Sequence, residues 1–231
     1  MGGFIVDAAK RFIAFVRQRL YLLILFYYAA IGLQFSLIEQ LVPADRVQVW
    51  VSCPLDQFIP YVNVFVIPYL LWFPYIGVAL ALTGIHDDRA SFLKFAINLF
   101  AGMTLCFAIY LLVPNGQLLR EPLTANESNI FDRMVYSIYA DDTNTNVCPS
   151  IHVLNSMITN FAIQDSHYFR NKPVVRHTST VLNVFIIAST VLIKQHSFVD
   201  VVFGIVLSLC IYAVANTYAA HRSRHLLSTR E

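Results

Sequence analysis

One stretch of sequence constrains this chain more than any other: residues 58–85 contain no Asp, Glu, Lys or Arg. A helix of about 20 apolar residues crosses the hydrocarbon core of a bilayer. This run is longer, so we expect its helix to tilt or to kink. Pro60, Pro68 and Pro74 lie within the run, and each lacks a backbone hydrogen-bond donor. The sequence therefore predicts a membrane helix that bends.

The composition of the whole chain agrees with this reading. Hydrophobic residues make up 57% of its 231 residues and charged residues 13%, whereas a soluble domain carries about 25% charged residues. The apolar residues also occur in long uncharged runs, which indicates an all-α, polytopic membrane protein with the lipid bilayer as its partner. The net charge of +2 is small and gives no reason to expect a nucleic-acid partner.

The uncharged runs predict six transmembrane helices in one domain over residues 21–220. Residues 1–20 mix apolar positions with four Lys or Arg and predict an amphipathic helix on the membrane surface. Residues 221–231 form a basic tail. The fourth span is short for a crossing. The six spans are assigned to residues 21–38, a helix within 58–85, and residues 95–113, 150–163, 178–193 and 196–220.

Lys and Arg are divided unequally between the two sides that these spans define. The side with both termini holds 12 of them and the other side holds 4, which together account for all 16. Because cytoplasmic loops are richer in Lys and Arg, we expect both termini in the cytoplasm. We expect the plasma (inner) membrane as the location of the chain. Residues 114–150 then form a long extracytoplasmic loop, and loops of this length are usually functional or disordered.

Two short stretches place titratable residues at the extracytoplasmic end of this bundle. His152 opens the fourth span, and His196 opens the sixth. Asp200 lies four residues after His196, on the same face of a helix. A carboxylate there can fix the tautomer of the imidazole and stabilise its positive charge. Asp200 is also the only charge in the sixth span, which makes it a functional candidate.

Further residues near these histidines suit the binding of an anion. Ser150 follows a proline and can cap a helix whose backbone N–H groups attract negative charge. Arg120 and Lys194 add positive charge for phosphate oxygens. Two histidines, a carboxylate, two cations and a helix N-terminus suit phosphoryl transfer, with one histidine as nucleophile and the other as proton donor.

Each residue also has a structural interpretation. A histidine at a membrane interface is more often structural, Asp200 could pair with Lys194, and Arg120 could be a solvated loop charge. Two histidines could instead bind a metal or haem, and Asp141 and Asp142 are the nearest acids. No third ligand stands at a clear spacing, so neither a metal nor another cofactor is predicted.

The four cysteines divide into two pairs. Cys106 and Cys210 lie in apolar runs, where a thiol behaves as a small hydrophobic group. Cys53 and Cys148 lie in polar segments. The sequence allows a disulfide between them, and two free thiols are favoured.

The two histidine stretches resemble the type 2 phosphatidic acid phosphatase (PAP2) superfamily. The Pro-Ser-x-His element of that family stands here at residues 149–152, and the His-x3-Asp core of another element stands at residues 196–200. The resemblance covers about residues 60–215 through the six spans and the order of the motifs. It departs from the family at residues 120–122, where Arg-Glu-Pro replaces Arg-Pro, and at residues 189–190, where Ser-Thr stands in place of Ser-Arg.

The resemblance implies a PAP2-type helix bundle and a reaction without metal, with the catalytic motifs within residues 114–200. His196 would attack phosphorus, Asp200 would orient it, and His152 would protonate the leaving oxygen. The implied substrate is a phosphatidate-like or polyprenyl pyrophosphate lipid. The residues that the resemblance assigns to the phosphate oxygens are Arg120, Ser150 and Lys194.

Two alternatives to a lipid phosphatase stay open. The forms Cys-Pro-Ser-x-His and Lys-Gln-His look like the branch that includes inositol phosphorylceramide synthases, sphingomyelin synthases and bacterial relatives. That likeness implies a transferase that moves a phospho-headgroup between lipids. The other alternative is a non-catalytic membrane protein that has kept the fold, and the altered residues 120–122 favour it. The sequence does not determine the oligomeric state.

Overall fold

The computed structural model describes residues 24–228, and most of them are helical. The amphipathic helix predicted for residues 1–20 lies outside the described residues. Two short parallel strands, β1 (Val49–Trp50) and β2 (Asn115–Gly116), join two loops. The helices are α1 (Phe26–Leu41), α2 (Val66–His86), α3 (Arg89–Leu112), α4 (Ile130–Asp141), α5 (Ile151–Asp165), α6 (Pro173–Leu192) and α7 (Phe198–Ser228).

Four of the described helices are long and apolar enough to cross a membrane, which is consistent with an integral membrane protein. Helices α1 and α5 have 16 and 15 residues, whereas a crossing takes about 20. They correspond to the first and the fourth predicted spans. That these two helices cross the membrane stays a prediction. The four helices that meet the criterion span Asn63–His86, Arg89–Leu112, Pro173–Leu192 and Phe198–Tyr218.

Helix α5 lies at the centre of the bundle. It packs against α2, α3, α6 and α7, and Val153 and Leu154 are fully buried. The polar side chains of Asn155, Ser156 and Thr159 are also buried. A helix enclosed by other helices can hold such residues because it does not face lipid. This position explains why the sequence of α5 reads as a weak span.

The beginnings of α5 and α7 are in direct contact. The Ser150 N–H, at the N-cap of α5, donates to the Asp200 carbonyl in the first turn of α7 at 3.2 Å. A Cβ atom on Gly204 would lie 2.9 Å from the Ser150 carbonyl oxygen and 3.0 Å from Val153 Cβ. Glycine at residue 204 therefore allows α7 to approach α5 closely, and this approach joins the two histidine stretches.

The long loop that the sequence predicts between α3 and α5 contains helix α4. The Asn129 side chain caps this helix by accepting a hydrogen bond from Phe131 N at 2.8 Å. Val135 is fully buried, and the apolar face of α4 packs against Val66 and Tyr69 of α2. Apolar residues at 131, 134, 135 and 138 have helical spacing, so the sequence did carry a signal for this amphipathic helix.

The cysteines are free thiols throughout the described residues. Cys53 and Cys148 are therefore two free thiols, as the sequence favoured, and no disulfide joins them. Cys106 is buried in the apolar core.

We expect Gly204→Ala to lower the free energy of unfolding by about 1–3 kcal/mol, because an added methyl group in a packed interface forces a shift. Thermal unfolding in detergent measures this change. Gly77→Ala is the matched control, since a Cβ on Gly77 meets nothing within 4 Å and alanine favours a helix over glycine. Equal losses in the two variants would contradict the close approach of α5 and α7.

Candidate active site

His152 is positioned by the first turn of α5. The Ser150 hydroxyl caps this helix by accepting a hydrogen bond from Val153 N at 3.4 Å, and the Tyr110 hydroxyl donates to the Pro149 carbonyl at 2.5 Å. The imidazole of His152 lies against two aromatic rings of α2. Its centroid is 4.5 Å from that of Trp72 and 4.6 Å from that of Tyr69.

His196 and Asp200 meet at the start of α7. His196 Nδ1 lies 3.3 Å from Asp200 Oδ2, and the Ser197 N–H donates to the same oxygen at 2.9 Å. His196 Nε2 lies 3.4 Å from His152 Nδ1. The three side chains therefore form a continuous chain of contacts, in which the Asp200 side chain is fully buried. The structure thus brings together the two stretches that the sequence singled out.

Ser150 takes part in this arrangement as a structural link. It is fully buried, its hydroxyl caps α5, and its N–H is bound to the Asp200 carbonyl. The first-turn N–H groups of Ile151 and His152 are the donors of α5 that remain for a ligand. Ser150 therefore holds the start of α5 in place, and the first-turn N–H groups without a helical partner belong to the next two residues.

Arg120 lies behind the cavity wall. Its guanidinium donates to three carbonyl oxygens at the end of α4 and just after it: those of Tyr139 at 2.9 Å, Asp142 at 2.6 Å and Thr143 at 2.6 Å. A cation at the C-terminus of a helix also compensates the helix dipole. In this structure Arg120 fixes the end of α4 and does not line the cavity beside the histidines.

Lys194 is also bound to backbone carbonyls. Its Nζ donates to the Asp56 carbonyl at 3.2 Å and to the Ile59 carbonyl at 2.5 Å. Its backbone is left-handed, with φ of 56°. Residues other than Gly, Asn and Asp rarely adopt this conformation. The Gln117 amide supports this turn by donating to the Lys194 carbonyl at 3.0 Å. Lys194 therefore links the turn before His196 to the loop before α2 through these hydrogen bonds.

Asp56 is a residue that the sequence analysis missed. Its carboxylate accepts hydrogen bonds from Phe198 N at 2.8 Å, the Ser197 hydroxyl at 2.7 Å and Cys53 N at 2.7 Å. Burial works against its charge, but these donors outweigh it and hold the pKa of Asp56 below its ordinary value. Asp56 thus caps the helix that carries Asp200, although it lies far away in sequence and no local pattern marks it.

The histidines lie at the polar end of a cavity of about 580 Å³, within the range of small-molecule sites. Among the described residues no Lys or Arg lines it. Its polar end includes His152, Gln195, His196, Asp142 and Asn146. Most of the remaining wall is apolar or aromatic, with side chains from α1, α2 and α3 that include Phe35, Trp72, Phe73, Ile76, Leu99, Met103 and Phe107.

Asp142 is the second acid that the sequence analysis did not assign to the site. Gln195 Nε2 donates to its Oδ2 at 3.0 Å. Burial raises the pKa of Asp142 to about 6, and the neighbouring His196 and Arg120 oppose this shift. The carboxylate is therefore largely ionised at pH 7 and is an acceptor that faces the cavity.

Cys148 is not a reactive thiolate. Burial and the nearby Asp200 carboxylate raise the pKa of its thiol to about 12, and only the thiolate is a good nucleophile.

Within the described part of the chain, no group of three or more His, Cys, Asp or Glu side chains could hold a metal ion. The best-placed nucleophile beside the cavity is the imidazole of His196.

Comparison of the chain with known protein families, with curated proteins and with solved structures finds no match. The chemistry of this site therefore has to be inferred from its own residues.

We expect Asp142→Asn to raise the free energy of unfolding at pH 8 by up to about 3 kcal/mol, because it removes a charge whose burial opposes folding. A carboxyl with a raised pKa destabilises the folded state above that pKa. The gain should therefore shrink as the pH falls from about 6 towards 3.8. Thermal unfolding over this pH range measures it, with the exposed neighbour Asp141→Asn as control. A gain that does not depend on pH would contradict the burial of this charge.

Proposed function

We propose that this chain is an integral-membrane enzyme that hydrolyses a lipid phosphate or pyrophosphate through a phosphohistidine. The observation that carries the proposal is the chain of contacts from Asp200 to His196 to His152 at the polar end of an apolar cavity. An amphiphile matches such a cavity, with its hydrocarbon against the apolar wall and its phosphate at the histidines.

In the proposed reaction, Asp200 accepts the Nδ1–H of His196 and thereby leaves a lone pair on Nε2. Nε2 attacks phosphorus, the bond from phosphorus to the leaving oxygen breaks, and His152 gives that oxygen a proton. Water then attacks the phosphohistidine and passes a proton to His152. The bond from phosphorus to Nε2 breaks, phosphate leaves, and both histidines return to their first state.

The resting geometry requires a movement before this reaction. The attacking and leaving atoms stand roughly in line on opposite sides of phosphorus, whereas His196 Nε2 and His152 Nδ1 lie only 3.4 Å apart. A phosphoryl group cannot fit between them at that distance. Binding of the substrate must therefore separate the two rings.

The negative charge of the phosphoryl group needs a partner in this proposal. We assign that role to the first-turn N–H groups of α5 and to the imidazole of His152 when it carries the proton that the leaving oxygen takes. Arg120 and Lys194 are bound to carbonyl oxygens, and we assign them the role of holding the loops around the site.

We also propose that α1 and α5 complete a six-helix bundle of the PAP2 type. The distribution of Lys and Arg along the sequence supports an orientation in which the cavity opens on the extracytoplasmic side and both termini are cytoplasmic. The plasma (inner) membrane is the proposed location.

A headgroup transferase is the second candidate, and one observation favours it. Asp142 faces the cavity, and no described Lys or Arg lines it. A phosphate monoester with two negative charges fits such a lining less well than a phosphodiester with one. The same three side chains would perform both reactions.

We expect His196→Ala to abolish phosphate release from phosphatidate and polyprenyl pyrophosphate, because the attacking nitrogen is lost. The purified protein is assayed in detergent with and without EDTA, and correct folding is checked by gel filtration. His177→Ala, at an exposed histidine of α6, is the control and should retain activity. Normal turnover by His196→Ala would exclude the phosphohistidine. A non-catalytic role would be favoured if the parent protein releases no phosphate from these lipids and forms no new lipid from mixtures of phospholipid donors and lipid alcohols.

We expect Asp200→Asn to lower kcat by at least about a hundredfold with little change in KM, because the amide cannot stabilise an imidazolium. Steady-state kinetics on the substrate found above measures both constants. A rise in KM alone would contradict the orienting role and leave Asp200 as a structural partner of Ser197.

A further inference from the structure

The polar end of the cavity has unmet hydrogen-bonding capacity, which includes two amide oxygens and the indole N–H of Trp72. Gln195 and Asn146 line the cavity, and the two residues are 2% and 7% exposed. Neither Gln195 Oε1 nor Asn146 Oδ1 has a hydrogen-bond partner among the described residues. Both atoms are acceptors, and the carboxylate of Asp142 beside them is an acceptor as well.

The orientation of each amide is fixed by a carboxylate. Gln195 Nε2 donates to Asp142 Oδ2 at 3.0 Å, and Asn146 Nδ2 donates to Glu39 Oε1 at 3.2 Å. A flipped amide would place its oxygen against a carboxylate oxygen, which is repulsive. The atoms left without a partner are therefore the two oxygens and not the two nitrogens.

A buried acceptor without a donor is unfavourable, so these oxygens need partners. Water can supply them while the cavity is empty. A ligand that enters displaces that water and loses affinity unless it brings donors of its own. Phosphate oxygens are acceptors and cannot meet this need.

We infer that Asp142, Gln195 and Asn146 form a subsite, beside His196, for a hydrogen-bond-donating group of the substrate, namely a hydroxyl or an ammonium group. This inference rests on the proposed function, because it places that group next to the phosphorus that His196 attacks. With a raised pKa of about 6, the Asp142 carboxylate is ionised at neutral pH and accepts hydrogen bonds. This state supports the proposed subsite.

The donor group has two possible sources. It is either the headgroup of the phospholipid that binds or the hydroxyl of a second molecule that accepts the phosphoryl group. In the second case the alcohol oxygen attacks phosphorus, its proton goes to His152, and the bond from phosphorus to His196 Nε2 breaks. The subsite chemistry is the same for both sources.

Binding can be measured without turnover, because Trp72 lies against His152 in the cavity. The chain has only two tryptophans, and Trp50 is an exposed residue of β1. A Trp50→Phe protein therefore reports on the cavity alone. Its fluorescence is titrated with short-chain phosphatidylglycerol, phosphatidylethanolamine and phosphatidylmethanol, the last of which lacks a donor in its headgroup.

If the headgroup is the source, we expect phosphatidylglycerol or phosphatidylethanolamine to bind at least about tenfold more tightly than phosphatidylmethanol. Asp142→Asn and Gln195→Met should each reduce this preference to about twofold or less. Two variants are used so that a folding defect in one does not decide the result. Asp141→Asn, an exposed acid at the same cavity, should keep the preference.

If the acceptor is the source, the three lipids bind equally, and glycerol instead receives phosphate from phosphatidate. Formation of glycerol phosphate should then saturate with glycerol concentration. Asp142→Asn should shift the product ratio at least about fivefold towards inorganic phosphate, because one charged acceptor is lost. Equal binding together with no saturable transfer to glycerol overturns the subsite. A binding preference in a protein that turns over none of these lipids would contradict the proposed function and leave the subsite intact.

Discussion

The contact between the first turns of α5 and α7 is the interaction on which the rest of the site depends. The Ser150 N–H donates to the Asp200 carbonyl, and Gly204 allows the backbones to approach. Helix α5 carries His152, and His196 lies two residues before α7, so this interface brings the two histidines together. Helix α5 can be short and polar because the other helices enclose it, and its enclosure removes the need for an apolar surface.

Three charged side chains around the site are bound by backbone groups rather than by each other. Arg120 binds carbonyl oxygens at the end of α4, Lys194 binds those of residues 56 and 59, and Asp56 accepts N–H groups at the start of α7. A buried charge is tolerated when such dipoles surround it. These side chains hold three loops against the bundle, and they leave the cavity with few positive groups of its own.

The sequence was sufficient for the helical class, for four helices long and apolar enough to cross a membrane and for the meeting of the two histidine stretches, because apolar runs and motif order determine which ends of the helices adjoin. It was not sufficient for the partners of Arg120 and Lys194, since a carbonyl oxygen has no signature in sequence. Asp56 lies in a short 3-10 helix and Asp142 adjoins Asp141 just after α4, and only tertiary packing shows that the first is buried and that the second lines the cavity. Helix α4 was overlooked, although its apolar spacing was present.

The contact between His196 Nε2 and His152 Nδ1 has a consequence for the proposed enzyme. In the proposed reaction the nucleophile would be in contact with its own acid when no ligand is bound, so small phosphate esters would react poorly. The free energy that separates the rings would then come from a distant part of the substrate, through burial of its hydrocarbon chain against the aromatic wall. Chain length would then act on the rate of the chemical step as well as on affinity, because remote binding energy prepares the reacting atoms.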